Sequence, residues 1–217
     1  MLKENEMLFK KFGWLILNWL PLLGLLTLVI SVSNRWNWVH TYDRYLQKII
    51  HGWQSPGLTP LVKIYTQLGN AKPFIFISIV ILGMLLWRGY DRLAAFFLAN
   101  VVLGNAINHL IKLWIQRPRP HFRLITIGGY SFPSGHSVAA MLLFGSLIFI
   151  TTQTVRSPKW RISWTLTCII LMLLLGLSRA YLNVHYPSDV TAGLLLGLVI
   201  LQTTHWIFYR KKESQHA

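Results

Sequence analysis

The chain has 217 residues, of which 53% are hydrophobic and only 12% charged. A soluble domain carries about 25% charge, so water is not the main solvent here, and the length allows a single domain, residues 1–217. The formal net charge of +15 comes from 21 Lys and Arg against six acids. These cations sit mainly between apolar runs and form no basic stripe on a soluble module, which argues against nucleic acid and for anionic lipid heads or an anionic substrate. Cys168 is the only cysteine, which excludes an internal disulfide framework and a multi-cysteine metal site.

Six hydrophobic segments follow in chain order: Phe12–Val32, Pro73–Trp87, Leu93–Leu113, Ser134–Thr152, Ile162–Leu177 and Val190–Tyr209. A bilayer core needs roughly 20 helical residues, so the second and fifth must recruit their flanks. Trp14, Trp36, Trp38, Trp87, Tyr90, Trp114, Trp160, Trp206 and Tyr209 cluster near segment ends, as an interfacial aromatic belt does. The expected fold is all-α: an integral-membrane bundle of six transmembrane helices. The first segment also has features of a signal peptide, with Lys10 and Lys11 before it and Ser31-Val32-Ser33 after it. Its apolar run exceeds the about 7–15 residues of such a signal, which favours a retained helix.

Between the first two spans, Asn34–Lys72 is polar enough to stay outside the bilayer. Tyr42, Tyr45, Leu46, Ile49, Ile50 and Trp53 recur at helical spacing, with Asp43, Arg44, Gln47, Lys48 and His51 on the other face. Ser55-Pro56-Gly57 stops this amphipathic helix, and a second, with Leu58, Leu61, Val62 and Tyr65, follows. The segment reads either as an interfacial helix guiding lipid or as a cap packed on the bundle. With both termini inside, Lys10, Lys11, Arg88, Arg92, Arg156, Lys159, Arg161, Arg210, Lys211 and Lys212 flank short cytoplasmic loops. That bias puts the amphipathic segment on the extracytoplasmic side.

Three polar clusters interrupt the apolar sequence where spans begin or end. The third span runs out through Lys112 into Arg117-Pro118-Arg119-Pro120, whose prolines forbid further helix. Arg suits bidentate phosphate contact and Lys a movable point charge, although Lys112 alone also reads as a snorkelling anchor. Pro133-Ser134-Gly135-His136 opens the fourth span. Its helix N-terminus reads as an anion site with His136 as proton donor, or as a plain N-cap. Ser178-Arg179 and His185-Tyr186-Pro187-Ser188-Asp189 join the last two spans, with Pro187 placed as a first helical residue. Asp189, one turn from His185, can hold the imidazole Nδ1–H and leave Nε2 free to attack. A metal site on His136, His185 and Asp189 is the rival reading, and three nearby cations oppose it.

In order and spacing, Lys112-x6-Arg119-Pro120, Pro133-Ser134-Gly135-His136 and Ser178-Arg179-x5-His185-x3-Asp189 resemble the three-part signature of the type 2 phosphatidic acid phosphatase family. The resemblance covers about residues 60–205. It implies a six-helix bundle with an extracytoplasmic active site in the cell membrane, hydrolysing a lipid phosphate or pyrophosphate without metal or other cofactor. It also implies roles: His185 as the nucleophile forming phosphohistidine, Asp189 as its orienter, and His136 as the general acid. Lys112, Arg119, Arg179, Ser134 and the Gly135 amide would bind phosphate oxygens, and Arg117, outside the matched positions, would have an auxiliary electrostatic role. A protonated His136 working with a neutral His185 predicts a bell-shaped pH profile. Bacterial members by resemblance act on phosphatidylglycerophosphate, undecaprenyl pyrophosphate or both. Phosphotransfer to a second lipid head, and a lipid or anion transporter, are the alternatives. The transporter would draw on Asn100, Asn105, Asn108 and His109. The sequence specifies neither the lipid nor the oligomeric state.

Overall fold

A computed structural model describes residues 19–209, and among them the regular elements are all helical. They are α1 (Trp19–Ser33), α2 (Asn37–His51), α3 (Leu58–Tyr65), a 3-10 turn (Thr66–Gly69), α4 (Ala71–Trp87), α5 (Asp91–Ile115), α6 (Gly135–Thr154), α7 (Pro158–Tyr181) and α8 (Pro187–Tyr209). The expected start of the first span at Phe12, with Lys10, Lys11 and Trp14, lies outside the described residues, as do Arg210, Lys211 and Lys212.

The helices outrun their apolar stretches. The expected Ile162–Leu177 extends to Pro158–Tyr181 and the expected Leu93–Leu113 to Asp91–Ile115. Proline starts α7 and α8, at Pro158 and Pro187, where its fixed φ suits a first helical turn. As a result Lys112, His136, Arg179 and Asp189 lie within terminal helical turns and not in loops. Four helices, α5 to α8, are each long and apolar enough to cross a bilayer, and the number reaches six if each of two bent pairs forms one span. Those pairs are α1 with α2, bent by 101°, and Leu58–Gly69 with α4, bent by 54°. The protein is therefore a multi-pass membrane protein.

Helix α6 is the hub, packed on α5, α7 and α8. Its Val138 and Leu142 join Ala192, Leu196 and Ile200 of α8 and Leu25, Leu28 and Val29 of α1 in one buried cluster. Lipid tails are as apolar as these side chains, so close contact and polar clasps must hold such helices together. Gly193 supplies the close contact: a Cβ there would fall 2.6 Å from the Ser134 carbonyl oxygen and 2.8 Å from Ser137 Cβ. Asn100 supplies the clasp. It donates to Ser146 Oγ at 3.4 Å and accepts from Thr204 Oγ1 at 2.7 Å, joining α5, α6 and α8. Asn105 bonds Val101 of its own helix. At these two positions the third-span amides serve helix structure, as interhelical and intrahelical bonds do elsewhere in membranes.

The α2–α3 segment packs on the bundle. Tyr42 meets Thr191 at 3.0 Å, Gln54 Nε2 donates to the Tyr181 carbonyl at 2.6 Å, and Tyr65 donates to the Leu171 carbonyl at 2.7 Å. Its faces differ from the periodic expectation. Leu46 and Ile50 turn inward onto Ala180, Leu182 and Val184, whereas Tyr45, Ile49 and Trp53 are exposed. Asp43, expected on the polar face, is buried. It is drawn inward because its carboxylate accepts the Ser188 N–H and hydroxyl, both at 2.8 Å, and pairs with Arg117.

The Gly193 contact gives a test of this packing. Gly193→Ala must separate α8 from the α6 N-terminus, and overpacking of this kind costs about 1–3 kcal/mol. Thermal unfolding in detergent should therefore occur at lower temperature than for the wild type; an unchanged midpoint would show that the two helices are not in close contact there.

Candidate active site

The three clusters meet at one end of the bundle, where α5 and α7 finish and α6 and α8 begin. Helix α5 stops because Gln116 turns left-handed, at φ 50°, and donates its N–H to the Lys112 carbonyl at 3.0 Å. Pro118 and Pro120 then keep the chain extended. Helix α7 stops at Leu182, and Asn183, at φ 53°, takes the left-handed position that commonly ends helices. The Val184 N–H returns to the Arg179 carbonyl at 3.1 Å, which folds His185 back over the last turn of α7. The Ser134 N–H donates to the Asp189 carbonyl at 2.9 Å. The second and third clusters are thus joined backbone to backbone, and the Gly193 contact lets them approach.

Around His185 the polar groups are arranged in shells. Arg119 Nη1 donates to the Val184 carbonyl at 2.8 Å and to His185 Nε2 at 3.1 Å. A guanidinium has no acceptor, so Nε2 must hold its lone pair towards Arg119, and the imidazole proton belongs on Nδ1. Nδ1 lies 3.5 Å from Asp189 Oδ2. That is an ion-pair separation but too long for a strong hydrogen bond, and Nδ1 has no closer partner among the described residues. The dyad is looser than one-turn spacing suggests because Asp189 Oδ2 is already taken by the Ser131 hydroxyl and by the Tyr186 N–H at 2.8 Å.

Asp189 Oδ1 pairs with Arg117 Nη1 at 2.6 Å, and Arg117 Nη2 pairs with Asp43 Oδ2 at 2.7 Å. Arg117 also donates to the Ser188 hydroxyl at 2.8 Å and lies over the Tyr186 ring at 4.1 Å. Arg117 is therefore the structural partner of the Asp189 carboxylate, a larger part than its position outside the signature implies. Burial acts to lower its pKa, but the charges and hydrogen bonds of Asp189 and Asp43 outweigh burial and raise it. Asp43 and Ser131 were not readable as site residues. The available signal was scarcity: with six acids in the chain, a carboxylate on a helix beside apolar repeats needs a cationic partner.

Other donors are only partly committed. Arg179 is 1% exposed, and only its Nη1 is bonded, to Thr66 Oγ1 at 2.7 Å. Its Nε and Nη2 are buried with no hydrogen-bond partner among the described residues. Lys112 Nζ holds the Tyr130 and Ser131 carbonyls at 2.9 and 3.3 Å. It lies within Coulombic reach of Arg119, Asp189 and Arg179. His136 lies within the same reach of Arg179, His185 and Arg119, and its Nε2 is 3.2 Å from Asn70 Oδ1. Ser134 is fully buried and caps α6 by accepting the Ser137 N–H at 3.4 Å, with Gly135 as the first residue of the helix. All eight expected residues thus belong to one constellation. Among the described residues no three His, Cys, Asp or Glu side chains are grouped to hold a metal ion, so His136, His185 and Asp189 do not form the rival ligand set.

Burial pushes the His185 pKa down. The neighbouring Asp189 carboxylate pushes it up, and the charges of Arg119 and Lys112 lower it again, to about 4. The imidazole is therefore neutral, with a lone pair, over the physiological range. A neutral imidazole beside several cations, with buried guanidinium donors unbonded, is chemically able to attack a bound anion.

The sequence comparison agrees with this chemistry. Residues 93–213 match the PAP2 superfamily, and the chain belongs to that family of membrane-embedded lipid phosphatases. It is 31% identical to phosphatidylglycerophosphatase B of Bacillus subtilis (strain 168) over 185 residues, 82% of this chain and 89% of that one. It is 30% identical over 166 residues to an undecaprenyl-diphosphatase of Sulfolobus acidocaldarius, covering 70% of this chain and 71% of that one. A crystal structure of a transmembrane PAP2-type phosphatidylglycerolphosphate phosphatase from Bacillus subtilis superposes with a TM-score of 0.75 at 28% identity. That match covers 88% of this chain and 96% of the other.

Removing one member of a buried ion pair costs about 3–5 kcal/mol, since the partner charge stays buried. Arg117→Ala leaves two carboxylates unpaired and should unfold in detergent at a clearly lower temperature. Asp43→Asn, which leaves the Asp189 pair intact, should lower the midpoint less. Equal midpoints for wild type and Arg117→Ala would remove Arg117 from the account.

Proposed function

We propose that this chain is a single catalytic unit that removes the terminal phosphate from phosphatidylglycerophosphate, undecaprenyl pyrophosphate or both. The reaction takes place at the extracytoplasmic face of the cell membrane through a phosphohistidine on His185. The unpaired, buried Nε and Nη2 of Arg179 carry this reading. A guanidinium held out of water with donors to spare is costly unless an anion completes it. The substrate class follows from the similar relatives, and the membrane face from Arg88, Arg92, Arg156, Lys159 and Arg161 flanking short loops at the opposite end. Six spans, with α1 and α4 each crossing once, fit that orientation.

In this mechanism the phosphoryl group binds against Arg179, Lys112, Arg119, the Ser134 hydroxyl and the Gly135 amide at the α6 N-terminus. Its oxygens take over the Arg119 donor that faces His185 Nε2, which frees the lone pair. Nε2 attacks phosphorus, the P–N bond forms as the P–O bond to the lipid breaks, and His136 gives the leaving oxygen its proton. Water then attacks the phosphohistidine, His136 takes the water's proton, and inorganic phosphate leaves. Asp189 keeps the Nδ1 proton in place and stabilises the positive charge that the ring acquires. The cations favour the charge spread over the phosphoryl oxygens, which is the main requirement of phosphoryl transfer.

Purified protein in detergent should release inorganic phosphate from either lipid phosphate, and His185→Ala should abolish release. EDTA should leave the rate unchanged. The His185 pKa is lowered, so the reactive neutral form persists at mildly acidic pH, and on its acid side the kcat/KM profile should fall only as pH drops towards about 4. An acid limb at the pKa of free imidazole, about 6.5, would contradict the buried nucleophile; phosphate transferred to a second lipid with none released would contradict hydrolysis.

A further inference from the structure

The turn between α3 and α4 belongs to none of the three signature clusters, yet it touches both Arg179 and His136. Thr66 Oγ1 accepts from Arg179 Nη1 at 2.7 Å and from the Ser178 hydroxyl at 3.0 Å. Gly69 lies against the His136 ring: a Cβ at this position would stand 2.4 Å from Cδ2 and 3.2 Å from Nε2. Asn70 follows, with Oδ1 3.2 Å from Nε2.

Asn70 is also the N-cap residue of α4, with extended backbone at φ −70° and ψ 154°. Asparagine there ordinarily folds its side chain back onto the free N–H groups of its own helix. Here it makes no such capping bond; its carbonyl is directed at the imidazole instead. An amide oxygen can only accept, so the contact requires that Nε2 carry the hydrogen. The partner that the turn offers is thus an acceptor, which suits an imidazole that donates.

We propose that Asn70 is a positioning residue for proton delivery: its side-chain carbonyl holds the hydrogen of His136 on Nε2 and aims it, while Gly69 fixes the ring edge. The inference rests on the reading of His136 as general acid. When the P–O bond to the lipid breaks, its electron pair goes to the leaving oxygen, which displaces Asn70 Oδ1 and takes the Nε2 proton. In the second half, water attacking the phosphohistidine returns a proton to Nε2, and Asn70 accepts from it again. Atoms and charge balance with no further reactant. The geometry also couples the site to the α2–α3 cap, because the same turn leads from α3 into α4 and anchors Arg179.

The distinguishing variable is the leaving group. An alkyl lipid phosphate needs a proton on its departing oxygen, whereas an aryl phosphate such as 4-nitrophenyl phosphate expels a stable anion and needs little help. Asn70→Ala should lower kcat on the alkyl lipid phosphate by about tenfold, the effect of one ordinary hydrogen bond. KM should change little, and the aryl rate should be near that of wild type. Asn70→Asp, which keeps an acceptor oxygen, should restore the alkyl rate. His136→Ala, assayed alongside, should show the same selectivity more strongly. If His136→Ala is selective but Asn70→Ala slows both substrates equally or neither, the assignment of Asn70 is wrong and the general acid stands. If His136→Ala shows no dependence on the leaving group, the general-acid reading falls, and the role of Asn70 falls with it.

Discussion

Arg117 sits with only 10% of its side chain exposed between Asp43 and Asp189, whose side chains are 3% and 0% exposed. None of the three would be stable there alone. A carboxylate out of water costs several kcal/mol unless a cation and hydrogen bonds complete it, and Asp189 has both: Arg117 on one oxygen, Ser131 and the Tyr186 N–H on the other. The arrangement fixes more than charge. Through Asp43 it ties α2 to the first turn of α8, and through Arg117 it ties the α5 exit to the same turn. The position of His185 over Asp189 follows from this framework.

The electrostatics of the pocket are then asymmetric. Towards Asp189, the positive and negative charges are paired and buried. On the other side, where the proposed phosphate site lies, are Arg119, Lys112 and Arg179, with one buried guanidinium edge unbonded. Under the proposed function, a phosphorylated headgroup is the missing counter-charge. Preorganised donors in a site shielded from water are worth more to a developing anion than they would be in bulk solvent, and the surrounding helices supply that shielding.

The three clusters that meet at one end of the bundle were legible because each places ionisable side chains at the end of an apolar run, where they are costly and stand out. The helix starts were legible for the same local reasons, Pro187 and Ser134 above all. What escaped depends on contacts across long separations. Asp43 had a sufficient local explanation on the polar face of an amphipathic helix, and only the Ser188 and Arg117 contacts reveal it as buried. Asn70 before Ala71-Lys72-Pro73 reads as an ordinary N-cap, and nothing local says that its carbonyl turns away to His136. Arg117, two residues before the signature arginine, was visible, but only as an auxiliary charge. The 3.5 Å His185–Asp189 separation could not come from i, i+4 spacing, since it reflects the competing hold of Ser131 and Tyr186 on the same oxygen.

The central claim is that His185 Nε2 forms a bond to phosphorus. The direct measurement is to mix the enzyme with lipid labelled in its terminal phosphate, quench within the first turnover, and locate the label in peptides. The account predicts an acid-labile, alkali-stable phosphoryl group on the peptide that contains His185, and none in His185→Ala. Label on the Asp189 carboxylate, or steady phosphate release with no labelled enzyme at any quench time, would contradict it.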